Sequence, residues 1–205
     1  MVIIMILKTL SRPQWQHLYR TAMVRDFPAS ELKSISMLEQ LEDKGWYTVL
    51  GFYSEEEPQR LCAYALLVQT NPGAVLLDYF AVDPSLRGGG IGGKILDLLK
   101  QWASQKAPLF LAEVEDPDFA QSPEDLSIRN RRIGFYQRNG FALTGVCAQV
   151  LQDHYRIIAA GTADRETVYR EMARLYFDMA GEDFFRRHIT VFSPTSQKSM
   201  ESDQN

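Results

Sequence analysis

The sequence predicts a mixed α/β fold of the α+β type, in which helices surround a sheet built largely from consecutive antiparallel strands. Three observations predict it. Apolar residues recur at helical spacing from Trp15 to Met23 and from Leu32 to Leu41. Three β-rich runs, "WYTVLGFY", "RLCAYALLVQ" and "AVLLDYFAV", then follow one another across the short turns "SEEEPQ" and "TNPG". Last, "RGGGIGGKI" (Arg87 to Ile95) packs five glycines directly ahead of a strongly helical stretch.

Each element can be justified in turn. The opening "MVIIMIL" is apolar but lacks a basic start and a small-residue cleavage site, and it is far shorter than the ~20 residues that span a bilayer, so it reads as an edge or first strand. Pro13 to Glu42 gives two helices broken at Pro28, with Ser30 and Glu31 placed to cap the second. From Trp46 the period changes to that of strands.

After the glycines, Ile91, Ile95, Leu98, Leu99 and Trp102 form the core-facing stripe of a helix. "PLFLAEVE" is a fifth strand. Ser122, Pro123, Glu124 and Asp125 start a helix that Gly140 ends. "FALTGVCAQVL" and "HYRIIAAG" make a hairpin, and "DRETVYREMARLYFDMA" a further helix with Val168, Met172, Leu175 and Met179 on one face. The expected organisation is one domain over 1–192, with 165–192 as a C-terminal helical extension and 193–205 as a disordered tail.

Composition narrows the function classes. A chain of 205 residues at 45% hydrophobic and 23% charged supports one sizeable core. A net charge of -4 and a pI near 5.4 argue against nucleic-acid binding, which needs a concentrated excess of Lys and Arg. The local cluster Arg129, Arg131, Arg132 and Arg138 reads as a solvated helix face. Cys62 and Cys147 lie in apolar strand-like runs without metal-ligand spacing. Buried reduced thiols of a cytoplasmic protein are expected, a disulfide remains open, and no metal site or membrane segment is read.

The glycine stretch nearly satisfies three phosphate-binding patterns. Gly88, Gly90 and Gly93 match G-x-G-x-x-G of dinucleotide-binding turns, with Glu113 and Glu115 ~20 residues on. Yet "DPSLR" separates the glycines from their strand, and antiparallel strands precede it. Gly88, Gly93 and Lys94 begin a P-loop, but Ile95 stands where a magnesium-binding Ser or Thr is required, which removes nucleotide hydrolysis. In the third pattern, R-x-x-G-x-G, Arg87, Gly90 and Gly92 follow "AVDP". Amides without side chains in the way can point at one pyrophosphate there, and a helix adds its positive end.

From Leu76 to Phe141, "LLDYFAVDPSLRGGGIGGKILDLLKQWA", "LFLAEVE" and "NRRIGFYQRNGF" come in an order and spacing that resemble the GNAT (GCN5-related) N-acetyltransferase superfamily. The resemblance implies a GNAT-type splayed mixed β-sheet flanked by helices, with acetyl-CoA as co-substrate in the gap. It also implies transfer of acetyl to a primary amine of a small molecule or peptide, by direct attack in a ternary complex. A CoA-binding sensor or interaction domain without catalysis is the alternative. A nicotinamide-dependent oxidoreductase is a further competitor. A homodimer is an open expectation.

The chemistry sets the candidates. A lysine-like amine with a reference pKa of ~10.4 costs ~4.6 kcal/mol to hold neutral at pH 7, so a base is useful. Glu113 and Glu115 share a strand face and either could supply it, with Glu113 ranked first. Asp78 binds a turn or a positively charged substrate group. The resemblance places the oxyanion-holding backbone at Phe80 and Val82. It places the coenzyme A cradle at Arg87, Gly88, Gly90, Gly92 and Gly93, Asn130 against the pantetheine or phosphates, and Tyr136 beside the sulfur. Lys94 or Arg131 could reach a phosphate. A phenol of pKa ~10 facing a thiol of ~8.5 makes full proton transfer uphill by ~2 kcal/mol unless the site lowers it. Tyr136 is therefore expected to donate a hydrogen bond and become an acid late. The segment from Trp15 to Glu31 and the C-terminal extension are expected to shape the acceptor site or an oligomer interface.

Overall fold

The computed structural model describes residues 5–161 and 163–193. The first four residues of the opening strand and the expected tail after Ser193 lie outside the described residues. The chain forms two compact units. One takes the residues up to Gln69 with Leu76–Trp102, and the other takes Thr70–Val75 with the chain from Ala103 onward.

In the first unit, β1 (Met5–Thr9), β2 (Tyr47–Ser54), β3 (Leu61–Val68) and β4 (Ala74–Val82) pair antiparallel in sequence order, which is the expected meander. The register of β3 and β4 shifts between the pairs Leu66↔Tyr79 and Leu67↔Leu77. Asp78 is thus an extra residue on β4, a bulge that turns successive side chains away from strict alternation.

α1 (Arg12–Leu18) starts at Ser11, whose backbone N–H donates to the Gln14 side chain at 2.9 Å. It passes through a π-turn at Tyr19–Met23 into α2 (Val24–Asp26). The stretch ends at Phe27, held extended at φ −126° and ψ 142° because Pro28 disfavours helical backbone before it. α3 (Ile35–Asp43) is capped by Ser34, whose Oγ accepts from Met37 N–H at 3.2 Å, and not by Ser30. Ser30 sits in the turn that Pro28 opens and Glu31 N–H closes. Trp15, Leu18, Met23, Leu38 and Leu41 enter the core with Val49, Leu50, Phe52 and Leu66. α4 (Ile91–Ser104) buries Ile91, Ile95, Leu96 and Leu99, so its stripe is rotated from the expected one, which included Leu98 and Trp102.

In the second unit, β7 (Asp153–Ala160) lies between β5 (Leu109–Glu115) and β6 (Phe141–Val150), and β8 (Ile189–Phe192) pairs with β6. All three pairings are antiparallel. α5 (Pro123–Arg138) is capped as expected, with Ser122 Oγ accepting from Asp125 N–H at 3.1 Å, and Gly140 follows it at φ 84°. α6 (Arg165–Ala180) buries Val168, Met172, Leu175, Tyr176 and Glu171, while Met179 stays partly exposed. A seven-residue helix, α7 (Glu182–His188), intervenes before β8; it is too short to show a sequence period. Cys62 and Cys147 are buried free thiols. Among the described residues, no helix is long and apolar enough to cross a membrane.

Candidate functional site

The glycine loop is built by the end of β4. Asp83 side chain accepts from Ser85 N–H at 2.9 Å and folds Pro84–Leu86 into one 3-10 turn. That hydrogen bonding with Ser85 holds the carboxyl below its ordinary range. The turn delivers Arg87, whose Nε donates back to the Val82 carbonyl at 3.0 Å. Gly88 and Gly90 follow at φ 85° and 76°, left-handed backbone that a side chain resists. A Cβ at either would meet nothing within 4 Å, so conformation and not crowding demands glycine here. Gly92 and Gly93 lie in the first turn of α4, where N–H groups have no partner within the helix. Exposed glycines, first-turn amides and an adjacent guanidinium fit a pyrophosphate, so the residues fit the acetyl-CoA that the motif implies.

Phe80 and Val82 occupy β4 opposite Ala65 and Ala63. Asp78 is only 3% exposed, and its two oxygens are taken by Lys33 Nζ and Tyr47 Oη, both at 2.6 Å. The neighbouring Tyr79 donates to the Glu31 carbonyl at 2.6 Å and accepts from Lys33 N–H at 2.9 Å. Because of the bulge, both residues reach the same loop and pin it to β4. Glu31 therefore meets β4 through its backbone. Trp15 is buried, and its indole N–H donates to Glu42 at 2.9 Å. The structure thus gives Asp78 and Trp15 internal partners, a packing role that the residue types alone did not distinguish from substrate contact.

In the second unit, Glu113 and Glu115 stand opposite Ile157 and Tyr155 on β7. They have different partners. Glu113 accepts a hydrogen bond from the Tyr176 hydroxyl on α6, whereas Glu115 pairs with Arg132 of α5. Arg129 donates to Asp125 at 2.9 Å and to the Asp116 carbonyl at 2.8 Å, so two members of the basic cluster are matched to acceptors and do not simply face water. Asn130 is exposed on α5.

Tyr136, on the same helix, is 9% exposed and lies edge-on to Phe135 and Phe141, at 5.4 and 5.3 Å between ring centres. Burial pushes its phenol up to about 12. Lys33, Tyr47 and Tyr176 were not anticipated. Each is an ordinary polar residue in sequence and becomes informative only through a long-range contact. Among the described residues, no group of three His, Cys, Asp or Glu is placed to hold a metal ion.

Residues 45–143 match the profile of the acetyltransferase (GNAT) domain. Over that stretch the chain is similar to the GNAT acetyltransferase family. Enzymes of this class transfer acetyl from acetyl-CoA to an amine. The fold of the chain recurs in solved structures. One is a Bacteroides thetaiotaomicron protein assigned to the GNAT acetyltransferase family, at 21% identity and TM-score 0.67, covering 86% of this chain and 99% of that one. An N-acetyltransferase from Staphylococcus aureus Mu50 aligns at 16% identity and TM-score 0.57, covering 77% and 97%. The ribosomal-protein-S18-alanine N-acetyltransferase of Escherichia coli aligns at 16% and 0.53, covering 78% and 96%. At these identities the likeness is one of fold, and the mixed α/β class expected from the sequence is the fold found. A search of curated protein sequences finds no match.

Proposed function

We propose that this chain transfers the acetyl group of acetyl-CoA to a primary amine, with both substrates bound at once. The observation that carries the reading is the glycine loop. Left-handed Gly88 and Gly90, the first turn of α4 and Arg87 form an anion cradle, inside the stretch that matches the family. Acetyl-CoA, when bound, supplies an activated thioester. Arg87 and the amides from Gly88 to Gly93 hold its pyrophosphate, and Asn130 is assigned to its pantetheine or phosphates.

The amine must shed a proton before it attacks. Glu113 is the base in this reading, with the Tyr176 hydroxyl fixing one of its oxygens. Glu115, paired with Arg132, is less suited. Tyr136 serves as a hydrogen-bond donor to the departing sulfur. With its phenol pushed up to about 12, outright transfer to a thiolate of pKa ~8.5 is uphill by about 5 kcal/mol. The burial therefore raises the barrier that a lowered phenol would have removed, and favours donation without full transfer.

Names of related folds suggest acceptor classes. One neighbour acts on a ribosomal-protein alanine and another, a chimera including a Vibrio cholerae enzyme, on spermidine. A peptide N-terminus and a polyamine are thus the acceptors to assay first. The test is release of free thiol from acetyl-CoA across such an amine panel. Turnover with a primary amine and intersecting initial-rate lines are expected, and Tyr136→Phe should lower kcat about 10- to 100-fold. Binding of CoA without turnover of any amine assigns a sensor instead. Stabilisation by NAD and not by acetyl-CoA, where ~100 times Kd gives ~2.7 kcal/mol, assigns an oxidoreductase.

A further inference from the structure

Asp26, at the end of α2, is not among the residues that the motif points to, yet it is the most heavily engaged carboxylate beside the glycine loop. Its side chain is 3% exposed. The Tyr64 hydroxyl donates to Oδ2 at 2.8 Å, and Arg25 grips both oxygens at 3.0 Å. Burial and this carboxylate both raise the Tyr64 phenol, so Tyr64 remains a donor. The carboxylate is thereby fixed from two sides and cannot swing.

Arg87 Nη2 stands 3.9 Å from Asp26 Oδ1. At that distance the attraction is Coulombic and no hydrogen bond is formed. Arg87 has one committed donor, the Nε that meets the Val82 carbonyl. A guanidinium held at Nε and drawn electrostatically at one edge has its orientation set while keeping N–H groups for an incoming anion. Without the second anchor, the long side chain of an exposed arginine samples many rotamers.

We propose that Asp26 is a positioning residue for Arg87: the buried carboxylate orients the guanidinium toward the coenzyme's pyrophosphate. The proposal rests on the reading that Arg87 meets that pyrophosphate. Asp26 lies far from the glycine motif in sequence, which is why the motif does not contain it. Asp26→Asn preserves shape and an acceptor for Tyr64 but removes the charge.

The experiment measures CoA and pantetheine affinities by calorimetry for wild type, Asp26→Asn, Arg87→Ala and the double variant. Asp26→Asn should weaken CoA about fivefold, the scale of one modest charge contact. It should leave pantetheine, which lacks the pyrophosphate, unchanged, and should have no further effect once Arg87 is removed. An equal loss for pantetheine, an equal loss in the Arg87→Ala background, or no loss at all overturns the proposal. If Arg87→Ala itself leaves CoA affinity intact, the cradle reading fails instead. Should Asp26→Asn not fold, the same cycle is run with Asp26→Glu, which moves the charge, and coupling to Arg87 is again required.

Discussion

At the scale of single residues, a carboxylate's meaning depends on what already occupies its oxygens. Asp78, Glu113 and Glu115 look alike as acids on strands. In the structure Asp78 is spent on Lys33 and Tyr47, Glu115 on Arg132, and Glu113 is held by a neutral phenol. A buried carboxylate that loses its cation leaves an uncompensated group, and breaking such a pair costs about 3–5 kcal/mol. Lys33→Met should therefore lower unfolding free energy by that order, read from urea denaturation. Asp78→Asn in the Lys33→Met background should recover part of the loss, because it removes the stranded charge. A substrate-binding role would instead leave stability alone and change KM. None of these partnerships is legible in the sequence, since each joins positions 17 to 63 residues apart and depends on the bulge at Asp78 or on the placement of α5 or α6.

Among the elements, the glycine loop was the most legible and the helix boundaries the least. The loop is local: glycines, a preceding Asp-Pro and a following amphipathic helix act over a few residues. Ser34 capping in place of Ser30, by contrast, follows from where the Pro28 turn closes, which residue preferences alone do not determine. The five loop glycines are also unequal. Gly90 has φ 76°, whereas Gly89 lies outside the left-handed region and has only the Leu86 carbonyl within 4 Å, at 3.8 Å from an added Cβ. An alanine in left-handed backbone costs about 1–2 kcal/mol. Gly90→Ala is expected to lose that much stability and to weaken CoA binding. Gly89→Ala should stay within about 0.5 kcal/mol of wild type. Urea midpoints with parallel CoA titrations separate the two, and equal effects would contradict the backbone assigned to the loop.

For the molecule as a whole, buried phenols set an alkaline limit on stability. Tyr79 in the first unit and Tyr136 in the second are each pushed up to about 12, chiefly by burial. Tyr47 and Tyr64 are raised as well, again mainly by burial and then by Asp78 and Asp26 respectively. In the unfolded chain these phenols titrate near ~10. The unfolded state therefore releases protons first as pH rises, so it binds fewer protons than the native state between about 10 and 12 and stability falls with pH. Below about pH 10 the contribution is fully present. At pH 11 Tyr79 and Tyr136 have each lost about 1.4 kcal/mol, and Tyr47 and Tyr64 add losses of the same sign, a sizeable part of the ~5–15 kcal/mol that holds a typical domain. Ionisation of these tyrosines should consequently coincide with loss of tertiary structure above pH 10, and should not precede it. Phenolate absorbance followed beside near-ultraviolet circular dichroism gives the answer. The chain has nine tyrosines, so a phenolate signal near pH 10 larger than the other five can supply, in a chain that stays folded, would show that the four side chains are not buried as described.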